Sequence, residues 1–157
     1  MRIEVSYGLA RRGLPAPVAF GRWIDRAGEA LDVTGAVSIR VSGAREGAAL
    51  NHRFRNRRGP TNVLSFPARL PDGQGRFWGD IVLCAPVIRE EAKSAGRPLR
   101  HHFAHLTVHG FLHLLGYDHE RSTERCRMEA LEIRLLDFFR IPDPYGNPPA
   151  GPCGGRR

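Results

Sequence analysis

Three histidines stand at fixed offsets in the segment His109-Gly110-Phe111-Leu112-His113-Leu114-Leu115-Gly116-Tyr117-Asp118-His119. On a helix, residues four apart stack one turn above the other, so His109 and His113 can aim their imidazoles at a single point. Gly116 permits a sharp reversal after the helix, and His119 can then return as a third nitrogen ligand. Three neutral imidazoles with a fourth position left open describe a catalytic metal site, and zinc is the expected ion.

The same spacing occurs in metzincin proteases, which place a general-base glutamate directly after the first histidine. Here that position is Gly110. Without the carboxylate, peptide hydrolysis lacks its proton acceptor, and the reading moves away from proteases. His101 and His105 extend the four-residue series backwards, but each step is about 6 Å along the axis. Both are read as solvated or hydrogen-bonded.

A second cluster, Arg53-Phe54-Arg55-Asn56-Arg57-Arg58, puts four arginines beside an aromatic ring. Guanidinium groups match phosphate in a planar, bidentate way. Arg53, Arg55, Arg57 and Arg58 are therefore candidate phosphate-binding residues, with Arg55 the cation for charge developing on a phosphate. The general base is open. Asp118 and Asp80 are candidates to stand behind the histidine ligands, with turn capping and strand entry as the plainer alternatives. Ser65 has no Gly-x-Ser-x-Gly around it and reads as a strand serine. Met128 and Cys84 read as core residues.

The elements that must position these groups are legible in the periodicity. Alternation marks strands near 3–7 and 37–41; the stretches 61–66, stopped by Pro67, and 79–84 also read as strands, with a Gly- and Pro-containing loop at 71–75 between them. Helical spacing marks 15–31, 44–53, 86–95 and 99–115, and a last helix from Ser122 that carries Met128, Leu131, Leu135 and Phe138 on one side. Pro98 suits a helix start and Gly116 a left-handed stop. The expectation is an α+β fold: a single domain with a small mixed β-sheet of about four strands packed with several helices, one of them a zincin-like metal-binding helix. Residues 1–141 are expected to form the single metallohydrolase domain. Residues 142–157, with five prolines and four glycines, are expected to be a disordered tail.

A chain of 157 residues suits one domain. Its composition excludes collagen-like, coiled-coil and wholly disordered readings. The net charge is +8, carried by one lysine and 23 arginines, which points to a polyanion partner or to a solubilising surface. Cys84, Cys126 and Cys153 are odd in number and form no Cys-x-x-Cys pair. They argue against a disulfide scaffold and for a reducing cytosol. No apolar run reaches the length of a membrane span, and the N-terminus lacks the apolar core of a signal peptide.

With these motifs in place, the chain resembles the YbeY-type ribosomal RNA maturation factors, single-strand-specific endoribonucleases. The resemblance rests on Leu50-Asn51 through Arg55 with Pro60-Thr61-Asn62-Val63-Leu64-Ser65-Phe66-Pro67, on Gly79-Asp80-Ile81-Val82, and on His109 to His119. The stretch Met128 to Glu132 also fits. It implies one Zn2+ per chain held by His109, His113 and His119, with His113 and Arg55 in the catalytic centre and a positively charged groove around Arg55 for RNA. It further implies a cytoplasmic role in 3′-end maturation of small-subunit (16S) ribosomal RNA and in ribosome quality control, with the small ribosomal subunit and assembly proteins as partners. Arg57-Arg58 depart from the family's Lys-Asp-like pair and make the segment more positive. Two alternatives stay open: a metal-dependent hydrolase of another substrate, and a ribosome-assembly factor whose metal is structural.

Overall fold

The computed structural model describes residues 1–68, 76–118 and 120–146. His119, the 71–75 loop and residues 147–157 lie outside them.

Nine elements follow in chain order: β1 (Arg2–Tyr7), α1 (Pro17–Ala30), β2 (Ala36–Ser42), α2 (Ala44–Arg55), β3 (Val63–Pro67), β4 (Phe77–Cys84), α3 (Ala85–Ala95), α4 (Leu99–Leu114) and α5 (Ser122–Asp137). The strands form one sheet in the order β1-β2-β4-β3. β1 and β4 flank β2 in parallel, while β3 runs antiparallel to β4 and forms an edge. The expected single-domain α+β fold, a four-stranded mixed sheet packed with several helices, is what the chain adopts.

Alternation divides the sheet into two faces. Val37, Ile39, Val41, Ile81 and Leu83 turn towards the core with Phe20, Ile24, Phe103, Phe111 and Met128. α4 runs through this core. From His102 to Leu114 every residue is buried except His109 and His113. A helix apolar on nearly all sides has to be central, and here the strip left open is the one that carries two of the three motif histidines.

Gly110 explains how closely α4 meets the sheet. A Cβ added there would lie 3.0 Å from Ile81 Cγ2 and 3.1 Å from Ser65 Oγ. The Ser65 hydroxyl donates to the Gly110 carbonyl at 3.0 Å, the strand role expected for this serine. In this fold the position therefore faces β3 and β4, and a protease glutamate would have no room.

α4 stops as its glycine predicts. Gly116 has φ +99°, its N–H donates to the His113 carbonyl at 3.0 Å, and Tyr117 N–H reaches the Leu112 carbonyl at 3.0 Å. This pair of bonds turns the chain back over the helix end.

Two expectations need correction. Phe138 is 57% exposed rather than in the core, because the buried face of α5 runs through Met128, Glu132, Leu135 and Leu136 and leaves it to one side. The Arg26 guanidinium lies over its ring at 3.9 Å. The chain also does not fall away at Pro142: Arg97 donates to the Pro144 carbonyl at 2.8 Å, and Tyr145 N–H to Asp143 Oδ1 at 2.8 Å.

Candidate metal centre and arginine cluster

His109 and His113 converge as their spacing requires. Their Nε2 atoms are 3.1 Å apart, with ring planes at 79°. The other nitrogen of His109, Nδ1, lies 2.5 Å from Glu132 Oε1 on α5. Glu132 is wholly buried, so its carboxylate must be satisfied within the protein. His105 Nε2 lies 3.1 Å from Oε2, and the Tyr145 hydroxyl donates to the same oxygen. Tyr145 and His105 also meet at 3.2 Å.

These bonds set the protonation of the site. Burial works to raise the Glu132 pKa, but hydrogen bonds from His105 and His109 outweigh it and hold the carboxyl at about 2. Burial, then the Glu132 charge, pushes the Tyr145 phenol well above its ordinary value. An ionised Glu132 accepts from His109 Nδ1–H, which leaves the lone pair on Nε2, the atom facing His113. Two nitrogens each about 2.0–2.1 Å from one tetrahedral zinc lie roughly 3.3 Å apart. The observed 3.1 Å fits that donor pair.

His105, His109 and Glu132 also offer three ligand atoms within 4.8 Å of one another, a group that could hold a metal ion. All three Glu132 interactions described above are donor-to-carboxylate bonds, which makes it a support for the imidazoles. The open strip of α4 lies at His109 and His113.

The histidine stripe along α4 is His102, His105, His109 and His113, three or four residues apart, in place of the series through His101. His101 is half-buried. His102 Nε2 lies 2.9 Å from Glu91 Oε1 on α3, and the Asn62 amide donates to the same oxygen at 3.1 Å. Burial depresses the His102 pKa, and the Glu91 carboxylate only partly restores it. The folded state thus keeps His102 neutral at pH values where the unfolded chain takes up a proton. Stability should fall as pH drops below about 6.5, the unfolded histidine value. Urea midpoints at pH 7.5 and 5.5 check this, and His102→Gln should flatten the difference between them.

Asp118 Oδ1 accepts from Glu120 N–H at 3.2 Å, a turn-capping bond. Asp80 is exposed and paired with Phe66. Gly79 and Ile81 face α4, so the alternation points Asp80 to the opposite side and does not bring it to the histidines. Arg53 and Arg55 close α2, and Arg57 and Arg58 follow it; all four are exposed. Asn56 turns the chain with φ 53°. The buried Asn51 amide donates to the Gly59 carbonyl at 2.8 Å and holds the arginine loop against α2.

Sequence reasoning gave Glu132 and Tyr145 no role. For Glu132 a signal existed: it shares a stripe with Met128, Leu135 and Leu136, and a carboxylate on a buried stripe requires partners. Tyr145 has no comparable signal, since it lies in a Pro- and Gly-rich stretch.

The family model described as Endoribonuclease YbeY matches residues 19–140. The chain belongs to the YbeY endoribonuclease family. Curated YbeY relatives agree over nearly the whole length. A protein named Endoribonuclease YbeY from Stenotrophomonas maltophilia is 47% identical over 148 residues, covering 91% of this chain and 92% of its own. Another of that name from Alkalilimnicola ehrlichii is 50% identical over 149 residues, covering 91% and 90%. The YbeY name states endonucleolytic cleavage of RNA, a hydrolase reaction. A Thermotoga maritima protein solved in solution shares the fold, with a TM-score of 0.59, 23% identity, and coverage of 88% of this chain and 91% of that one. Tyr145 lies beyond the stretch matched by the YbeY model. No helix among the described residues is long and apolar enough to cross a membrane.

Proposed function

We propose that this chain is a zinc-dependent, single-strand-specific endoribonuclease that acts in 3′-end maturation of 16S ribosomal RNA and in ribosome quality control. Its workplace is the cytoplasm, and its partners are the small ribosomal subunit and assembly proteins. The observation that carries the reading is the open pair on an otherwise buried helix, His109 and His113, with Nε2 atoms 3.1 Å apart and His109 anchored on a buried carboxylate. His109, His113 and His119 hold the ion. Zinc supplies a Lewis acid there and lowers the pKa of water to about 7.

The chain's own groups do the rest. Glu132 keeps the His109 lone pair on Nε2 and fixes the ring. Arg53, Arg55, Arg57 and Arg58 receive the phosphate backbone, each contact adding to the salt dependence of binding. Arg55 balances the charge that builds on the phosphate at the cleaved bond.

The test pairs metal content with cleavage of a defined single-stranded fragment from the 3′ end of 16S ribosomal RNA. His113→Ala should lose both metal and cleavage while its circular dichroism stays folded. Arg55→Glu should keep its metal and lose about 10²–10³-fold in cleavage rate. Undiminished cleavage by metal-stripped protein would overturn the reading. Unfolding of the His113 variant would favour a structural metal instead.

A further inference from the structure

The arginine cluster contains an aromatic residue that phosphate binding does not use. Phe54 is 55% exposed. Among the described residues only Val18 and Phe138 share that status among large apolar side chains, and Phe138 is capped by Arg26 at 3.9 Å. Phe54 is held from below instead. Phe66 of β3 packs edge-on against it, with centroids 5.0 Å apart and planes at 63°. The Arg53 guanidinium stands 5.3 Å from the ring centroid, near the outer limit of about 6 Å for a cation–π contact. The ring is thus fixed in orientation while much of its surface faces solvent.

Its surroundings specify what can lie on that surface. Arg53, Arg55, Arg57 and Arg58 are all exposed, and no ion pair among the described residues takes up any of them. A flat apolar ring among unpaired guanidinium groups complements a flat base joined to phosphates. The position lies on the other side of the edge strand β3 from α4 and its histidines. Phe66 meets Phe54, whereas its neighbour Ser65 projects through the other face of β3 to bond Gly110 on α4. β3 is one of the two sheet edges, so an RNA strand crossing that edge can touch both sides.

We infer that Phe54 is a base-stacking subsite for single-stranded RNA, gripping one unpaired nucleobase while the neighbouring arginines hold the flanking phosphates. A base inside a duplex has no free face to offer, so the subsite selects single strands. This inference rests on the endoribonuclease reading and adds to it the group that reads strandedness.

Binding of a short fluorescent single-stranded RNA to the full chain tests it. Phe54→Leu keeps an apolar cover over Phe66 but removes the aromatic face. It should weaken binding on the order of tenfold, with an unchanged thermal midpoint and an unchanged salt slope, because no phosphate contact is lost. Phe54→Trp should restore affinity, and its indole emission should be quenched when RNA binds. A matching abasic strand of ribose phosphates should bind wild type and Phe54→Leu equally. If wild type binds single-stranded RNA and Phe54→Leu binds it as tightly, the subsite is overturned and the endoribonuclease reading stands. An equal loss towards the abasic strand also overturns the subsite. If wild type binds no single-stranded RNA, both readings fall together.

Discussion

Replacing Glu132 with glutamine should lower metal affinity by about 10–100-fold, the usual cost of removing the partner behind a ligand histidine. The carboxylate accepts from His109 at Oε1 and from His105 and Tyr145 at Oε2. Glutamine offers a carbonyl oxygen to one side and an NH2 to the other. If the NH2 faces His109, Nδ1 becomes the acceptor and the proton moves to Nε2, where a metal needs the lone pair. If it faces the other way, two donors from His105 and Tyr145 meet a third donor in a fully buried pocket. Either arrangement loses a charge-assisted hydrogen bond worth about 1.5–3 kcal/mol. Relief of carboxylate burial does not offset this, since the Glu132 pKa of about 2 shows that hydrogen bonding already outweighs burial. Chelator competition reads the affinity and a urea titration reads the stability. Wild-type values in both would mean that Glu132 only fills space.

The second large effect is expected at Gly79, where β4 pairs with the end of β3. Its φ is +141°, a conformation that side chains avoid at a cost of about 1–3 kcal/mol. An added Cβ would stand 2.2 Å from the Phe66 carbonyl oxygen, 3.0 Å from Ala68 N and 3.0 Å from Leu114 Cδ2. The nearest obstacle is backbone and cannot rotate away. Gly79→Ala must therefore separate β3 from β4 where Pro67 pairs with Gly79. Strain and displacement together should cost about 3 kcal/mol or more, a fall in thermal midpoint of roughly 10 °C in a domain of this size. A melt within about 2 °C of wild type would show that the strand end yields freely.

Some of this architecture is local and so was readable from residue order. β1 and β2 rest on alternating apolar residues, β4 on a short continuous apolar run and the helices on three- and four-residue spacing, all properties of a single segment. The meeting of His109 with His113 follows from helical geometry alone, as does the stop at Gly116. The motif residues Asn51 and Asn62 were visible as well, but their work was not: one pins the arginine loop to α2, and the other ties the start of β3 to Glu91 and His102.

What the sequence by itself determined is therefore the set of elements and the pair of imidazoles that one helix can aim together. The tertiary structure decided everything that depends on which segments meet. It put Glu132 behind His109 and brought Tyr145 back from the C-terminal stretch to seal the same carboxylate. It turned Gly110 to the sheet and Asp80 away from the histidines. It left Phe54 open beside the arginines. The physical reason is range: periodicity and turn chemistry act within a few residues. The partner of a buried charge is chosen by packing between α4, α5 and the chain near residue 145, whose separations in sequence carry no pattern.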